Sequence, residues 1–291
     1  MQPSCAPYQK VRFHSAIRKS SMSTILATAF LLLSMSNFAA PGAVMAMERD
    51  DLGRVLKIMP PNGTPEKYGN VILRKRSKKA GMPPAVFPHW LHRARYTCSV
   101  CHVELELAMR GGSNGISRTG CLSGKYCGAC HDGKTAFTVK EDGGKKECYR
   151  CHLQDASQLD NKFRQFAAEL PASGYGNNID WQAALNQGKI PQKNSLSGNK
   201  ALPPLPNMLK KPLLLGSGSG RSAVTFSHEE HNAEMDCTMC HPDIFNIKEK
   251  GTLFFSMETN IYGQYCGACH MRVAFPMNDC RRCHPSMSYM E

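Results

Sequence analysis

One five-residue pattern constrains this chain more than anything else in it: C-x-x-C-H occurs six times in 291 residues. The copies are Cys98-Ser-Val-Cys101-His102, Cys127-Gly-Ala-Cys130-His131 and Cys148-Tyr-Arg-Cys151-His152, followed by Cys237-Thr-Met-Cys240-His241, Cys266-Gly-Ala-Cys269-His270 and Cys280-Arg-Arg-Cys283-His284. They account for twelve of the fourteen cysteines. Paired C-x-x-C also builds zinc ribbons, and cysteine-rich exported chains build disulfide frameworks. Neither chemistry asks for a histidine directly after every pair. Covalent c-type haem does: two thiols add to the two vinyl groups, two intervening residues set the sulfur separation, and the next histidine ligates the iron. The pattern therefore predicts six covalently bound haem c groups.

The motifs fall into two groups of three. Phe87-Pro88-His89-Trp90-Leu91-His92 precedes Cys98, and Phe226-Ser227-His228-Glu229-Glu230-His231 precedes Cys237. His89/His228, His92/His231, Cys98/Cys237 and Cys127/Cys266 all share one offset of 139 residues, while Cys148/Cys280 are 132 apart. Two trihaem units are expected, 85–152 and 224–291. In F-x-H-x-x-H, two histidines three apart on one short helix point to different sides and reach two different irons. Ser227 with Glu230 has the form of a capping box, and Pro88 suits a first helical turn. After residue 46 the chain holds ten histidines. Six are proximal, so His89, His92, His228 and His231 can make at most four haems bis-histidine.

With these residues in hand, the units resemble the trihaem cytochrome c7 domain of the cytochrome c3 class. F-P-H-W-L-H before C-S-V-C-H carries the resemblance, together with G-K-Y-C-G-A-C-H at 124–131 and its echo G-Q-Y-C-G-A-C-H at 263–270. The resemblance implies that His89 and His228 ligate the first haem of each unit, and His92 and His231 the middle one. Small c7 proteins carry a third distal histidine before the middle motif. Here that stretch reads Arg118-Thr-Gly-Cys121-Leu-Ser and Met257-Glu-Thr-Asn260-Ile-Tyr. The haems at Cys148/Cys151 and Cys280/Cys283 are thus the two whose sixth position is open to Met, another ligand, a ligand from a neighbouring molecule, or none. Met257 and Cys121 are candidates by location; the alternatives are packing for Met257, and inert burial or intermolecular bonding for Cys121.

Residues 1–46 read as a secretory signal peptide. Lys10, Arg12, Arg18 and Lys19 precede an apolar run from Ile25, and Val44-Met45-Ala46 is a cleavage site. The apolar run is short for a membrane span, and no later segment has the length for one. Removing the leader takes away four basic residues and no acidic one, leaving 32 Lys and Arg against 23 Asp and Glu. Six haems bring twelve propionates, so the net charge is about +3 with ferric irons and about −3 with ferrous ones. The basic excess is thereby spoken for by the cofactor. Within the extension 47–84, Val71-Ile72-Leu73 suits a strand, and the basic run 74–79 either neutralises propionates or docks a partner; nucleic acid is not expected. The linker 153–223 holds helical stretches at Phe163–Leu170 and 179–185, then Pro-, Gly- and Ser-rich chain.

The fold expected is mainly irregular with short α-helices, two c7-like units organised around covalent haems rather than around a protein core. Thioether and axial bonds would offset the chain entropy that a thin apolar core leaves unopposed. The expected function is electron carriage rather than enzymatic: an exported multihaem cytochrome of anaerobic respiration, periplasmic or extracellular. Its donor would be another multihaem cytochrome or a quinol-oxidising membrane complex, its acceptor a further cytochrome or an extracellular metal. Two other readings stand beside it: a redox enzyme with an open third-site haem, and a subunit of an extracellular cytochrome filament.

Overall fold

The structure is a computed structural model. It describes residues 64–140, 147–155, 157–202, 204–215, 223–245 and 256–287, all within one compact unit. Residues 1–46, read from sequence as a signal peptide, and the glycine–serine run at 216–220 lie outside the described residues.

Each repeat opens on the same small device. In the first, strand β1 (Asn70–Leu73) pairs antiparallel with β2 (Ala85–Pro88), with Val71 opposite Phe87. The basic run between them coils into helix α1 (Lys75–Lys79), anchored where the buried Ser77 hydroxyl donates to the Leu73 carbonyl at 2.9 Å. Strand β2 then turns directly into helix α2 (His89–Arg93), with Pro88 as its N-cap residue. Proline's fixed φ, here −84°, ends the strand and starts the helix within one residue. Beyond the first two motifs of this repeat, which flank α3 (Arg118–Leu122), the chain reaches α4 (Ser157–Ala168) and α5 (Trp181–Asn186).

In the second repeat, β3 (Leu213–Leu215) pairs with β4 (Val224–Phe226), and α6 (His228–Asn232) follows. Its Ser227 side chain accepts the Glu230 N–H at 3.2 Å, the N-cap half of the expected capping box. Three short helices complete it: α7 (Met257–Ile261), α8 (Gly267–His270) and α9 (Cys280–Cys283). Two-stranded ladders this short are marginal on their own, and Leu214 is 70% exposed. They serve to aim the histidine helices rather than to build a core.

The packed apolar core lies elsewhere. Trp90 and Ala94 meet Phe163, Ile179, Trp181, Ala184 and Ile190, with Leu159, Phe166 and Leu170 at the margin. The Trp90 ring sits edge-on to Phe163 at 5.3 Å, and Phe166 bridges toward Trp181 at 6.2 Å. The helices α4 and α5 thus clamp the outer face of α2. Burying each of these aromatic rings is worth about 2–3 kcal/mol. The α5 end is set by Asp180, whose carboxylate accepts the Ala183 N–H at 3.0 Å.

The repeats also touch directly. The Ser99 hydroxyl accepts the Asp236 N–H at 2.7 Å, Tyr68 donates to the Ala274 carbonyl at 2.6 Å, and Arg93 pairs with Glu234 at 3.1 Å. Arg93 also lies over the Trp181 ring at 4.7 Å, tying this junction to the apolar core.

Candidate haem sites

Five of the six motifs close on themselves in the same way. The N–H of His131, His152, His241, His270 and His284 donates to the carbonyl of the first cysteine of its own motif at 2.8–3.0 Å. That turn puts both thiols and the imidazole on one side of the backbone. The first motif instead runs into a single wide helical turn, Val100–Glu104.

Eight of the ten histidines have Nδ1 on a backbone carbonyl. For the proximal set the acceptors are Leu107 for His102 (2.5 Å), Phe137 for His131 (3.0 Å), Pro83 for His152 (2.7 Å), Phe245 for His241 (2.8 Å) and Phe275 for His270 (2.9 Å). For the distal set they are Gly69 for His89 (2.6 Å), Pro88 for His92 (2.9 Å) and Ser227 for His231 (2.7 Å). A carbonyl can only accept, so Nδ1 carries the proton and Nε2 keeps its lone pair. That is how a second shell fixes an imidazole for metal ligation. His228 and His284 have buried Nδ1 atoms with no partner.

The leading phenylalanine of F-x-H-x-x-H orders the distal pair. Phe87 stands edge-on to His89 at 4.8 Å and stacks on His92 at 4.2 Å. Phe226 repeats this with His228 at 4.9 Å and His231 at 4.5 Å. Wedged between the two rings, it splays them apart. His92 then faces His131 across 6.3 Å between ring centres, and His231 faces His270 across the same 6.3 Å. A haem iron at each middle motif would be held by these pairs, His92 with His131 and His231 with His270. His89 lies in the electrostatic field of His102, and His228 in that of His241.

The middle motifs are built with unusual backbone economy. Gly124 and Gly263 take φ of 80° and 82° to end α3 and α7, and Tyr126 and Tyr265 follow in the left-handed region at 53° and 45°. A Cβ on Gly128 would lie 1.8 Å from the Cys121 carbonyl oxygen, and one on Gly267 equally close to that of Asn260. Only glycine lets the preceding helix sit on the motif this closely. The helices start from Ser117 and Ser256, whose side chains accept the N–H of Gly120 and Thr259.

Burial favours the neutral form of five of these histidines. It pushes His89 and His270 down to about 4, and His92, His131 and His228 below the usual imidazole range. It pushes the Cys98 thiol up to about 12 and Cys101, Cys266 and Cys269 up to about 11. Cys121 and Cys127 share a thiol hydrogen bond, which lowers Cys121 to about 6 and raises Cys127. Cys121 also lies in the field of Cys151, in the third motif of its repeat.

Every described cysteine is a free thiol, and among the described residues no three His, Cys, Asp or Glu side chains converge as a metal-ion cluster. The family model for cytochrome c7 and related cytochrome c matches residues 85–153 and 224–285. The chain belongs to the cytochrome c7 family. It is 33% identical to a c7-type three-heme cytochrome domain, over 29% of this chain and 91% of that one, with a TM-score of 0.25. It is 23% identical to the C-terminal hexaheme fragment of a larger cytochrome, over 74% and 96% of the two chains (TM-score 0.24), and 22% identical to a dodecaheme cytochrome c, over 77% and 78% (TM-score 0.23). No curated protein matches the chain.

As a c7-family cytochrome, the chain is a multihaem c-type cytochrome, a class that binds haem c covalently and transfers electrons. Its mostly irregular course with short helices fits that fold. Among the described residues no helix is long and apolar enough to cross a membrane. What sequence reasoning missed are the carbonyl acceptors, the wedge role of Phe87 and Phe226, and Phe137 and Phe275. Internal repetition carries the signal for the last pair: each follows its middle histidine within six residues, at 137 and 275.

Proposed function

We propose that the chain is a hexahaem electron carrier. Each C-x-x-C-H from Cys98 to His284 takes one haem, and His89, His92, His228 and His231 close four of the irons. The observation that supports this best is the matched 6.3 Å separation of His92 from His131 and of His231 from His270, in two independent copies. A haem held between such a pair supplies a one-electron ferric/ferrous couple. The chain's own part is to fix both imidazoles in the Nδ1–H tautomer, shield them, and leave no axial position for substrate. The leader at 1–46 supports export to the periplasm or beyond, and so a role in anaerobic respiration, with other multihaem cytochromes or a quinol-oxidising complex as partners.

A second reading is favoured by one observation. His92 and His231 stand beside the middle histidines His131 and His270, and His89 and His228 lie in the fields of His102 and His241, which leaves no distal histidine for His152 and His284 in this count. An open third-site haem would bind small ligands and make the chain a redox enzyme. Carbon monoxide titration of the reduced holoprotein separates the two. The carrier is expected to bind none. One or two molecules per chain would establish the open-site reading, and more than two would overturn the ligand assignment itself.

A further inference from the structure

A chain of contacts outside the ligand set recurs in both repeats. An acidic residue directly precedes each third motif, Glu147 and Asp279, and an arginine sits inside each, Arg150 and Arg282. Acid and base pair within the motif, Arg150 with Glu147 at 3.1 Å and Arg282 with Asp279 at 2.7 Å. The paired guanidinium lies over a phenylalanine ring, 3.6 Å from the Phe137 centroid and 5.2 Å from that of Phe275. Those two phenylalanines hold the middle histidines. Their carbonyls accept Nδ1–H of His131 and His270, and their rings rest 4.3 Å from the imidazole centres in both copies.

We propose that Arg150 and Arg282 are positioning residues for the middle-site ligands, linking each third motif to the middle histidine of its own repeat. The inference rests on the haem reading above. Physically, the carboxylate fixes a planar cation that stacks on an aromatic face as lysine cannot. The stacked cation pins the phenylalanine, and the pinned backbone aims Nε2. The loop between histidine and phenylalanine in the first repeat is otherwise held by short-range hydrogen bonds, among them Gly133 N–H to the Ala136 carbonyl at 3.0 Å. Asp132 accepts the N–H of Lys134 and Thr135, and Val139 donates back to the His131 carbonyl. The arginine therefore does double duty: it orients the imidazole, and it places a positive charge beside it. Arg282 is shared with Asp180 at 3.1 Å and stands farther from its ring, so its influence is the weaker.

The test uses the full-length holoprotein, with redox titration followed haem by haem through resolved haem-methyl NMR signals. At a fixed potential, Arg150→Met is expected to raise the ferric-to-ferrous ratio of the first repeat's middle haem about threefold, because a nearby cation favours the ferrous state. Glu147→Gln, which unmasks the same cation, is expected to move that ratio the other way. Arg150→Lys should restore part of the shift, and Arg282→Met should act in the same direction as Arg150→Met but less. Loss of packing alone would move the methionine and glutamine variants in one direction. That result, or unchanged ratios in normally matured variants, would overturn the proposal. A wild-type protein with no c-type spectrum would instead overturn the haem reading on which it rests.

Discussion

Eight of the ten histidines after residue 46 are set up for metal ligation by what their other nitrogen does. A lone imidazole samples two tautomers and many rotamers; donating Nδ1–H to a carbonyl selects one of each. Phe87 and Phe226 add the second constraint by filling the wedge between the two distal rings. Replacing Phe226 by leucine keeps most of the apolar volume and removes the ring contacts. It should cost about 1 kcal/mol of stability and leave part of the second repeat's middle haem high-spin, read by chemical denaturation and low-temperature electron paramagnetic resonance. An unchanged protein would show that the aromatic wedge is ornamental. Cysteines and histidines were legible in the sequence because their spacing is itself the chemistry. The carbonyls of Leu107, Phe137 and Phe245 were not, since any residue supplies a carbonyl and the offset from its histidine varies between motifs.

At the scale of elements, strand, phenylalanine and histidine helix form one unit, used twice with different support. In the first repeat α2 is held by the apolar cluster; in the second, Glu229 and Glu230 are exposed where Trp90 and Leu91 stand in the first. Trp90→Ala should therefore cost about 3–5 kcal/mol, seen as a lower denaturation midpoint, and should loosen His89 and His92 together. The corresponding Glu229→Ala should be near neutral. Equal effects would contradict the asymmetry. The helices themselves were largely readable: 163–170 and 179–185 from sequence became Ser157–Ala168 and Trp181–Asn186. The early start of α4 comes from Asp155, which accepts the Ser157 N–H at 2.9 Å. That these helices dock on Trp90 was not readable, because an apolar stripe does not say which face it meets.

At the scale of the whole molecule, ten apolar side chains are buried among the described residues, a thin core, and the order lies largely in local turns. Five of the six motifs carry their own closing hydrogen bond, the two sheets have two strands each, and the repeats meet through Ser99–Asp236 and the largely buried Arg93–Glu234 pair. Such a framework leaves the thioether and axial bonds to hold the chain. The repeat at a 139-residue offset announced two units in advance. The contact between them did not announce itself, because Arg93 and Glu234 are ordinary surface residue types until folded. The central claim is one covalent haem at each of the six motifs. The intact mass of the purified, matured protein tests it: the account expects the processed polypeptide plus six haem groups, undiminished by denaturation. A mass short of six, or haem that leaves the denatured chain, would contradict it.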